Sequence, residues 1–261
     1  MPTDPLAGKA VLVTGGARRL GRAIALTLAQ AGADVAITFR ASQSDAAQTA
    51  ADIAALNRNS LAVPCDVRSE PSVRAAVAQV IAGFGRLDVL VNNAAVFASA
   101  ALENLSLEQW DIAFETNARG PFLVAREALP HLRAARGRIV NMGSLGGLHA
   151  WAGHAHYCAS KAALHMLTQA MAKAFAPDVS VNCVAPGWIA LDETPDPAVA
   201  PPLHQSVPGR AELQAARFAA KTPMGRNGDA QDVAQAVLFF ATGPHFITGQ
   251  TLVVDGGLGL S

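Results

Sequence analysis

The sequence contains few cysteines, little charge and no long apolar run, and each of these shortages excludes a class of protein. The three cysteines are scattered and none forms a C-x-x-C pair, which argues against both a disulfide framework and a zinc site. Basic and acidic residues number 20 each, so bulk charge does not indicate a nucleic acid or an anionic membrane surface as a partner. Polar residues interrupt every apolar stretch before it reaches the roughly 20 residues of a membrane-spanning helix.

The start of the chain, Met-Pro-Thr-Asp-Pro, has no basic segment followed by an apolar run, so it does not have the pattern of a secretion signal. Scattered cysteines suit a reducing compartment. We therefore expect a cytoplasmic protein with a small-molecule substrate and with neither a nucleic acid nor a membrane as partner. Hydrophobic residues make up 51% of the 261 residues, which is enough for a substantial core and argues against disorder.

Short apolar runs alternate along the chain with segments whose apolar residues recur at helical spacing. Strands that are apolar throughout and separated by helices are typical of a parallel sheet covered on both faces. We therefore predict an α/β fold: a single doubly wound Rossmann-type domain over residues 1–261, with a parallel sheet of about seven strands. The predicted strands are 10–14, 34–39, 61–64, 88–91, 138–142, 179–184 and 251–254, and the predicted helices lie near 20–31, 44–57, 72–84, 107–132, 156–176 and 229–241.

One segment, 187–222, differs from the rest because it is rich in proline and lacks a steady period until Ala211. Long loops in compact domains are typically either functional or disordered. The segment is therefore either a poorly ordered surface insertion or a lid beside the site, and we assign it as a candidate substrate lid. Its prolines are Pro195, Pro197, Pro201, Pro202 and Pro208.

The loop from Thr14 to Gly21 follows the first predicted strand and leads straight into a helix. Glycines there let the backbone turn sharply and approach a pyrophosphate, which N–H groups at the helix N-terminus can hold. A tight structural turn would also use a glycine pair. The order of strand, loop, helix and second strand favours a dinucleotide site over a merely structural turn.

The residues after the second strand indicate which dinucleotide binds. An acid at this place suits the ribose hydroxyls of NAD, whereas an arginine suits the 2′-phosphate of NADP. Arg40 follows the strand, no acid occurs before Asp45, and Arg18 offers a second positive charge from the glycine loop. We therefore expect NADPH as the cofactor. The alternative is that Arg40 is an ordinary solvated arginine.

Several short motifs occur together, in the order and at the spacing of one enzyme family. Tyrosine and lysine four residues apart occur by chance in many helices, but the whole set is highly specific. Over essentially its full length, the chain resembles the short-chain dehydrogenases/reductases. The motifs are T-G-x-x-x-x-x-G from Thr14, N-N-A at 92–94, Asn117, Ser144, Y-x-x-x-K at 157–161, A-P-G at 185–187 and D-G-G at 255–257.

The resemblance implies a catalytic set of four residues, Asn117, Ser144, Tyr157 and Lys161. In this family Tyr157 would donate a proton and Ser144 would hold the substrate oxygen. Asn117 would anchor a water beside Lys161, which would also bind the nicotinamide ribose. Helical spacing independently places Tyr157 and Lys161 on one helix face. A nearby ammonium, and the oxidised nicotinamide when it is present, favour the phenolate. We therefore expect the pKa of Tyr157 to be lowered from about 10. Considered alone, Ser144 would suit a loop-capping serine better.

The cofactor contacts that we expect combine the glycine loop, the residues after the second strand and positions implied by the resemblance. Asp66 and Val67 would contact the adenine, and Asn93 and Ala94 would line the nicotinamide ribose. The segment 186–189 would meet the nicotinamide. The full set is Gly15, Arg18, Arg19, Leu20, Gly21, Arg40, Ser42, Asp66, Val67, Asn93, Ala94, Tyr157, Lys161, Pro186, Gly187 and Ile189.

Two residues resemble those of a subgroup, the pteridine reductases. Arg19 stands where most relatives have glycine and where pteridine reductases have arginine. Phe97 matches the aromatic residue that those enzymes stack on the pterin ring, although Ser144 stands where they usually have aspartate. The alternative places Arg19 in solvent and Phe97 in the core. The expected substrate-site residues are Arg19, Phe97, Ser144 and Tyr157.

These features predict an NADPH-dependent oxidoreductase that reduces a carbonyl or C=N bond by hydride transfer, with a pteridine-reductase-like enzyme as one version. A 3-oxoacyl-thioester, ketone or sugar reductase is the alternative, to which Ser144 is better suited. A catalytically silent nucleotide-binding redox sensor is a further alternative, but sensing does not require a proton donor such as Tyr157.

The predicted helices near 107–132 and 156–176 carry more apolar residues than one contact with a sheet requires. Relatives pair these helices across two-fold axes, and closed symmetric assembly is common among soluble enzymes. We therefore expect a homotetramer. We expect no metal, because the histidines at 149, 154 and 156 have no accompanying acid or cysteine pattern.

Overall fold

The computed structural model describes residues 4–191 and 210–260. In that part of the chain, seven parallel strands form one sheet with helices on both of its faces. The strands are β1 (Ala10–Val13), β2 (Asp34–Phe39), β3 (Ser60–Pro64), β4 (Val89–Asn92), β5 (Arg138–Met142), β6 (Ser180–Pro186) and β7 (Thr251–Val254). The helices are α1 (Arg19–Gln30), α2 (Gln43–Ala55), α3 (Glu70–Phe84), α4 (Leu107–Phe114), α5 (Gly120–Ala135), α6 (Ala155–Phe175), α7 (Arg210–Lys221) and α8 (Ala230–Thr242).

The strands lie in the order β3-β2-β1-β4-β5-β6-β7, and every neighbouring pair is parallel. From β1 the chain adds strands on one side, and after β3 it crosses back to add β4 to β7 on the other side. This reversal between β1 and β4 confirms the predicted doubly wound α/β fold. Ligands of such sheets bind outside the carboxyl ends of the strands at the reversal. The loops after β1 and β4 therefore mark the region of the site.

Both faces of the sheet are apolar, because successive residues of a strand point to opposite faces and each face is covered by helices. In β1, Val11 and Val13 pack in a cluster with α1 and α8, whereas Leu12 packs with α3 and α5 on the other face. Full burial of each such side chain contributes about 1.5–3 kcal/mol. Although these helices are apolar on their packed faces, none within the described residues is long and apolar enough to cross a membrane.

The helical region predicted over 107–132 is interrupted in the structure. α4 ends at Phe114, a π-helical turn spans Glu115–Arg119, and α5 then continues to Ala135. Such turns are frequent at functional sites. The apolar pattern does not reveal this one, since the helical period continues on both sides of it. The turn contains Asn117, one of the expected catalytic residues.

The candidate lid, 187–222, is described only in part, since residues 192–209 lie outside the described residues. Its last part forms α7, in agreement with the period that begins at Ala211. On α7, the ring of Phe218 stacks on that of Trp188 with the centroids 4.2 Å apart. This contact attaches α7 to the chain directly after β6.

Candidate active site

Hydrogen bonds fix the glycine loop after β1 to the end of β4. The Nδ2 of Asn93 donates to the carbonyl oxygens of Thr14 and Gly15 at 2.9 and 3.0 Å. The Thr14 hydroxyl accepts from the backbone N–H groups of Asn93 and Ala94, both at 3.0 Å. Gly15 has a φ of +63°, and a Cβ added there would lie 3.0 Å from the Cα of Ala94. A Cβ on Gly21 would collide with the Gly15 carbonyl oxygen. The close packing of loop, helix and strand therefore requires both glycines.

The N-terminus of α1 is suited to an anion. α3, α4 and α8 each begin with a capping side chain, from Ser69, Ser106 and Asp229, that accepts from a backbone N–H of the first turn. At α1 the side chain of Arg18 makes no such cap, and no acidic residue lies in the first turn. Uncapped N–H groups and the helix dipole favour negative charge. A dinucleotide pyrophosphate therefore fits between this helix end and the glycine loop.

The residues expected at the adenosine end lie after β2 and β3. Arg40 is exposed directly after β2, and Ser42 occupies the N-cap position of α2. Hydrogen bonds from Arg68 lower the pKa of Asp66, and the charge of Arg40 adds to this lowering. Arg40 and Asp66 therefore lie near each other on one surface. The side chain of Val67, by contrast, is buried in the core.

Arg19 is the first residue of α1 and has a φ of 52°, in the left-handed region that glycine adopts most easily. Its side chain is exposed, and among the described residues it makes no hydrogen bond or ring contact with Phe97 or Tyr157. The structure therefore brings three of the four expected substrate-site residues together, Phe97, Ser144 and Tyr157, and leaves Arg19 at the helix end. The next residue, Leu20, is half-buried and packs against the core.

Tyr157 lies near the start of α6 and is the centre of the candidate site. Burial raises the pKa of Tyr157 to about 12, and a hydrogen bond with the Ser144 side chain opposes part of this rise. The expectation of a lowered pKa is therefore wrong for the protein alone. The Nζ of Lys161 lies 5.8 Å from the centroid of the Tyr157 ring, and desolvation of the phenolate is the largest cause of the pKa shift of Tyr157. At neutral pH Tyr157 is thus a neutral phenol, which is the form that can donate a proton.

Lys161 and Ser144 are both buried beside this phenol. The Nζ of Lys161 donates to the carbonyl oxygen of Met142 at 2.7 Å, and burial lowers the pKa of Lys161 to about 8. The Oγ of Ser144 accepts from the backbone N–H of Gly146 at 3.0 Å. The Ser144 hydroxyl therefore caps its own loop and also reaches Tyr157, so the two roles considered for it are compatible.

Asn117 is fully buried, and its amide connects two other segments. The Oδ1 accepts from the backbone N–H of Val96 at 2.9 Å, and the Nδ2 donates to the Val96 carbonyl and to the Ser160 hydroxyl, both at 3.0 Å. Ser160 in turn donates to the carbonyl oxygen of Tyr157 at 2.8 Å. Asn117 thus ties the loop after β4 to the first turns of α6. Its expected role in holding a water stays a prediction.

Aromatic rings surround Tyr157. The ring of Phe97 meets it edge to face with centroids 4.7 Å apart, and that of Trp151 lies nearly parallel at 6.2 Å. The ring of His154 stacks on Phe97 at 4.6 Å. Phe97 is 42% exposed, so the structure does not support the alternative that it is a core residue. Sequence reasoning missed Trp151 and His154, for which the one available signal was aromatic character close to Tyr157.

A largely apolar cleft of about 690 Å³ opens beside these rings, between residues 99–103 and 150–155. Trp151 and His154 line it and connect it to the surroundings of Tyr157. The cleft provides room for an apolar group close to Tyr157. Much of its remaining lining consists of small side chains, Ala100, Ala101, Ala150, Ala152 and Ala155.

The segment expected to meet the nicotinamide is held by its neighbours in the fold. β6 extends to Pro186, two residues beyond the prediction, and the N–H of Gly187 donates to the Val254 carbonyl of β7 at 2.9 Å. Ile189 forms a bridge with Gly228 and packs against the core. The position of this segment is therefore well defined, while its contact with a nicotinamide stays a prediction.

These features define a class of protein: a doubly wound sheet with a dinucleotide loop, and a phenol, an amine and a hydroxyl grouped beyond the same strand ends. Comparison with known proteins gives the family. The family model for Enoyl-(Acyl carrier protein) reductase matches residues 15–259. The 3-oxoacyl-[acyl-carrier-protein] reductase FabG of Staphylococcus aureus is 35% identical over 253 residues, which are 96% of this chain and 98% of that protein.

Two solved structures are also similar over nearly the whole chain. A short-chain dehydrogenase/reductase from Serratia marcescens is 34% identical, with a TM-score of 0.86 and coverage of 98% of this chain and 99% of that chain. A blue fluorescent protein from a metagenomic library, solved in complex with NADPH, is 33% identical, with a TM-score of 0.85 and coverage of 97% and 99%. The chain belongs to the short-chain dehydrogenase/reductase family and is an NAD(P)-dependent oxidoreductase.

Replacing Tyr157 by phenylalanine removes the transferable proton and keeps the ring among its aromatic neighbours. General acid catalysis is worth about 10²–10⁴-fold, so we expect kcat for reduction to fall by this factor. The Kd for NADPH, measured by fluorescence titration, should stay nearly unchanged. Turnover of the Y157F variant close to that of the unmodified protein would exclude Tyr157 as the proton donor.

Proposed function

We propose that the protein reduces the carbonyl group of a ketone with NADPH and that Tyr157 is the acid of the reaction. The observation that carries this proposal is the position of the Tyr157 phenol, hydrogen-bonded to Ser144 and one helical turn before the buried Lys161, whose Nζ lies 5.8 Å from the centroid of the phenol ring. A sensor that only binds nucleotide has no need for such a group. The grouping therefore favours an enzyme over a catalytically silent relative.

In the proposed reaction, the substrate carbonyl oxygen lies against the hydroxyls of Tyr157 and Ser144. The glycine loop, Arg40 and the segment 186–189 would hold NADPH, and the chemistry that it would supply when bound is a hydride for the carbonyl carbon. Tyr157 gives the proton of its Oη to the carbonyl oxygen, which completes an alcohol. The phenolate left on Tyr157 is stabilised by Ser144 and by the positive charge of Lys161, and it regains a proton from water.

The preference for NADPH over NADH rests on the positive charge at the adenosine end. Arg40 is exposed directly after β2, close to Asp66, at the place where the 2′-phosphate of NADP lies in doubly wound folds. Arg18 adds a second guanidinium from the glycine loop. A structurally similar protein in complex with NADPH supports the same choice.

The substrate class is supported by the similar proteins and by the cleft. The curated relatives named 3-oxoacyl-[acyl-carrier-protein] reductase act on a ketone, which favours a ketone reductase here. A pteridine-reductase-like activity stays the second candidate, because the half-exposed ring of Phe97 lies beside Tyr157 where a flat ring could meet it. One face of Phe97 is already occupied by His154, which weakens this second candidate.

We also propose that the segment 187–222 is a substrate lid. The stacking of Phe218 on Trp188 supports this, because it fixes α7 beside the segment expected to meet the nicotinamide.

We further propose a cytoplasmic homotetramer. Two separate faces expose large apolar side chains, and two different two-fold contacts generate a tetramer. One face carries Leu107, Trp110, Phe122 and Met166, and the other carries Phe239, Leu252 and Val253.

The function is tested with a substrate panel of acetoacetyl thioesters, simple ketones, quinones, dihydrobiopterin and dihydrofolate. We expect NADPH oxidation with at least one ketone, and its loss in the Y157F variant. The second candidate would be established by reduction of dihydrobiopterin instead of a ketone. In that case the KM for dihydrobiopterin should rise in the F97A variant, while the melting temperature of F97A stays that of the unmodified protein. NADPH binding without turnover of any compound would contradict the proposed function.

Replacing Arg40 by aspartate should reverse the cofactor preference. A charged hydrogen bond is worth about 1.5–3 kcal/mol, so kcat/KM for NADPH should fall about 10- to 100-fold while that for NADH stays nearly constant. Arg133→Asp is the matched control, since this exposed arginine lies near the C-terminus of α5, at the opposite end of the sheet. Equal use of both cofactors by the unmodified protein would contradict the assignment.

The oligomeric state is tested by light scattering at micromolar concentration. We expect a mass of four chains of 26.9 kDa. Charged substitutions at Trp110 and at Val253 lie on different faces, so each alone should yield dimers and the two together monomers. A mass of one chain for the unmodified protein would end the tetramer proposal.

A further inference from the structure

His165 occupies the inside of the loop that carries Ser144. It follows Lys161 by one helical turn on α6 and is 7% exposed. Its Nε2 accepts a hydrogen bond from the backbone N–H of Ser144 at 3.3 Å. A Cβ added to Gly143 would collide with this nitrogen, and one added to Gly147 would lie 2.8 Å from the Cε1. The imidazole therefore fills the space inside the loop, and the two glycines make that space available.

Two side chains of α6 bind the backbone of the same short segment. Lys161 donates to the carbonyl oxygen of Met142, and His165 accepts from the N–H of Ser144. Since one side chain is a donor and the other an acceptor, each matches the backbone group that it meets. Together they fix the residue before and the residue after Gly143, and with them the direction of the Ser144 side chain towards Tyr157.

The hydrogen bond to Ser144 requires a neutral imidazole whose Nε2 has no proton. Burial, with the charge of Lys161 as a smaller cause, lowers the pKa of His165 to about 4, so the neutral form is present at neutral pH. The proton then lies on Nδ1, for which the described part of the chain offers no hydrogen-bond partner. Leucine would fill the same space but would offer no acceptor to the N–H of Ser144, so packing alone does not account for a histidine.

We propose that His165 is a positioning residue for Ser144. Its imidazole holds the Ser144 backbone in place, so that the Ser144 hydroxyl keeps its hydrogen bond with the hydroxyl of Tyr157. This inference rests on the proposed function only for the role of Ser144 in turnover. The hydrogen bond and its effect on Tyr157 are independent of the substrate. His165 acts through Ser144 and contacts no reacting atom.

The test compares H165Q, which keeps an acceptor near the position of Nε2, with H165L, which fills similar space without one. With the best ketone of the panel, we expect kcat of H165L to fall about 5- to 20-fold, as for loss of one hydrogen bond. The KM for the ketone should change less than kcat, and the Kd for NADPH should stay constant. H165Q should recover most of the lost kcat.

Thr27→Val is the matched control, because Thr27 is also a buried helical residue and lies on α1, outside the contacts between α6 and β5. Its hydroxyl donates to the Oε1 of Gln231 on α8 at 3.4 Å, a bond that does not involve Ser144. We expect T27V to lower the melting temperature but to keep the kcat of the unmodified protein. Equal kcat losses in T27V and H165L would show a merely structural role and overturn the proposal.

A second measurement does not depend on turnover. Tyr157 is the single tyrosine of the chain, so tyrosine labelled with carbon-13 at Cζ gives one resonance in an NMR spectrum, which reports hydrogen bonding at its hydroxyl. We expect this resonance to shift in H165L and to stay in place in H165Q and T27V. If H165L does not fold, H165N replaces it, since the shorter amide does not reach Ser144. An unshifted resonance in these variants overturns the inference, whereas a shift without turnover of any ketone contradicts only the proposed function.

Discussion

The attachment of α6 to β5 is the constraint on which the candidate site depends. Four side chains on one face of α6 bind β5 or the loop after it. Tyr157 meets the Ser144 side chain, Lys161 the Met142 carbonyl, His165 the Ser144 N–H and Thr168 the Asn141 amide. Their spacing of four, four and three residues is that of one helical stripe. A rotation of the helix by one residue would break all four contacts, so the register of the helix and the geometry of the site are set together.

The same row of hydrogen bonds continues across the sheet to the cofactor loop. Asn141 accepts from the Nδ2 of Asn92 at 2.9 Å, which links β5 to β4 inside the core. Asn93, the residue directly after β4, holds the glycine loop through Thr14. Buried amides are stable only where their partners are in place. Asn92 and Asn93, at the end of β4, therefore couple the two parts of the site. Asn92 binds Asn141 on the strand that leads to Ser144, and Asn93 binds the glycine loop.

The sequence predicted the architecture well, because apolar strands buried on both faces and helices of regular period leave clear patterns. It also placed Tyr157 and Lys161 on one helix face. The sequence did not reveal what burial and backbone conformation decide: desolvation raises the pKa of Tyr157, and Arg19 adopts a left-handed φ. His165 continues the spacing of Tyr157 and Lys161, so a signal was present.

Burial shifts the two ionisable groups of the site in opposite directions, and both shifts favour the neutral forms. The pKa of Lys161 falls to about 8 from 10.5, so the unfolded chain binds more protons at this residue between those values. The site therefore destabilises the fold at neutral pH, and the destabilisation decreases as the pH rises from about 8 to 10.5. In the proposed reaction, transfer of the Tyr157 proton reverses this situation, because a phenolate and an ammonium stabilise each other in a low dielectric. The free-energy cost of burying Lys161 in the resting protein would thus become a stabilising interaction once Tyr157 has given up its proton, which is what an acid catalyst requires.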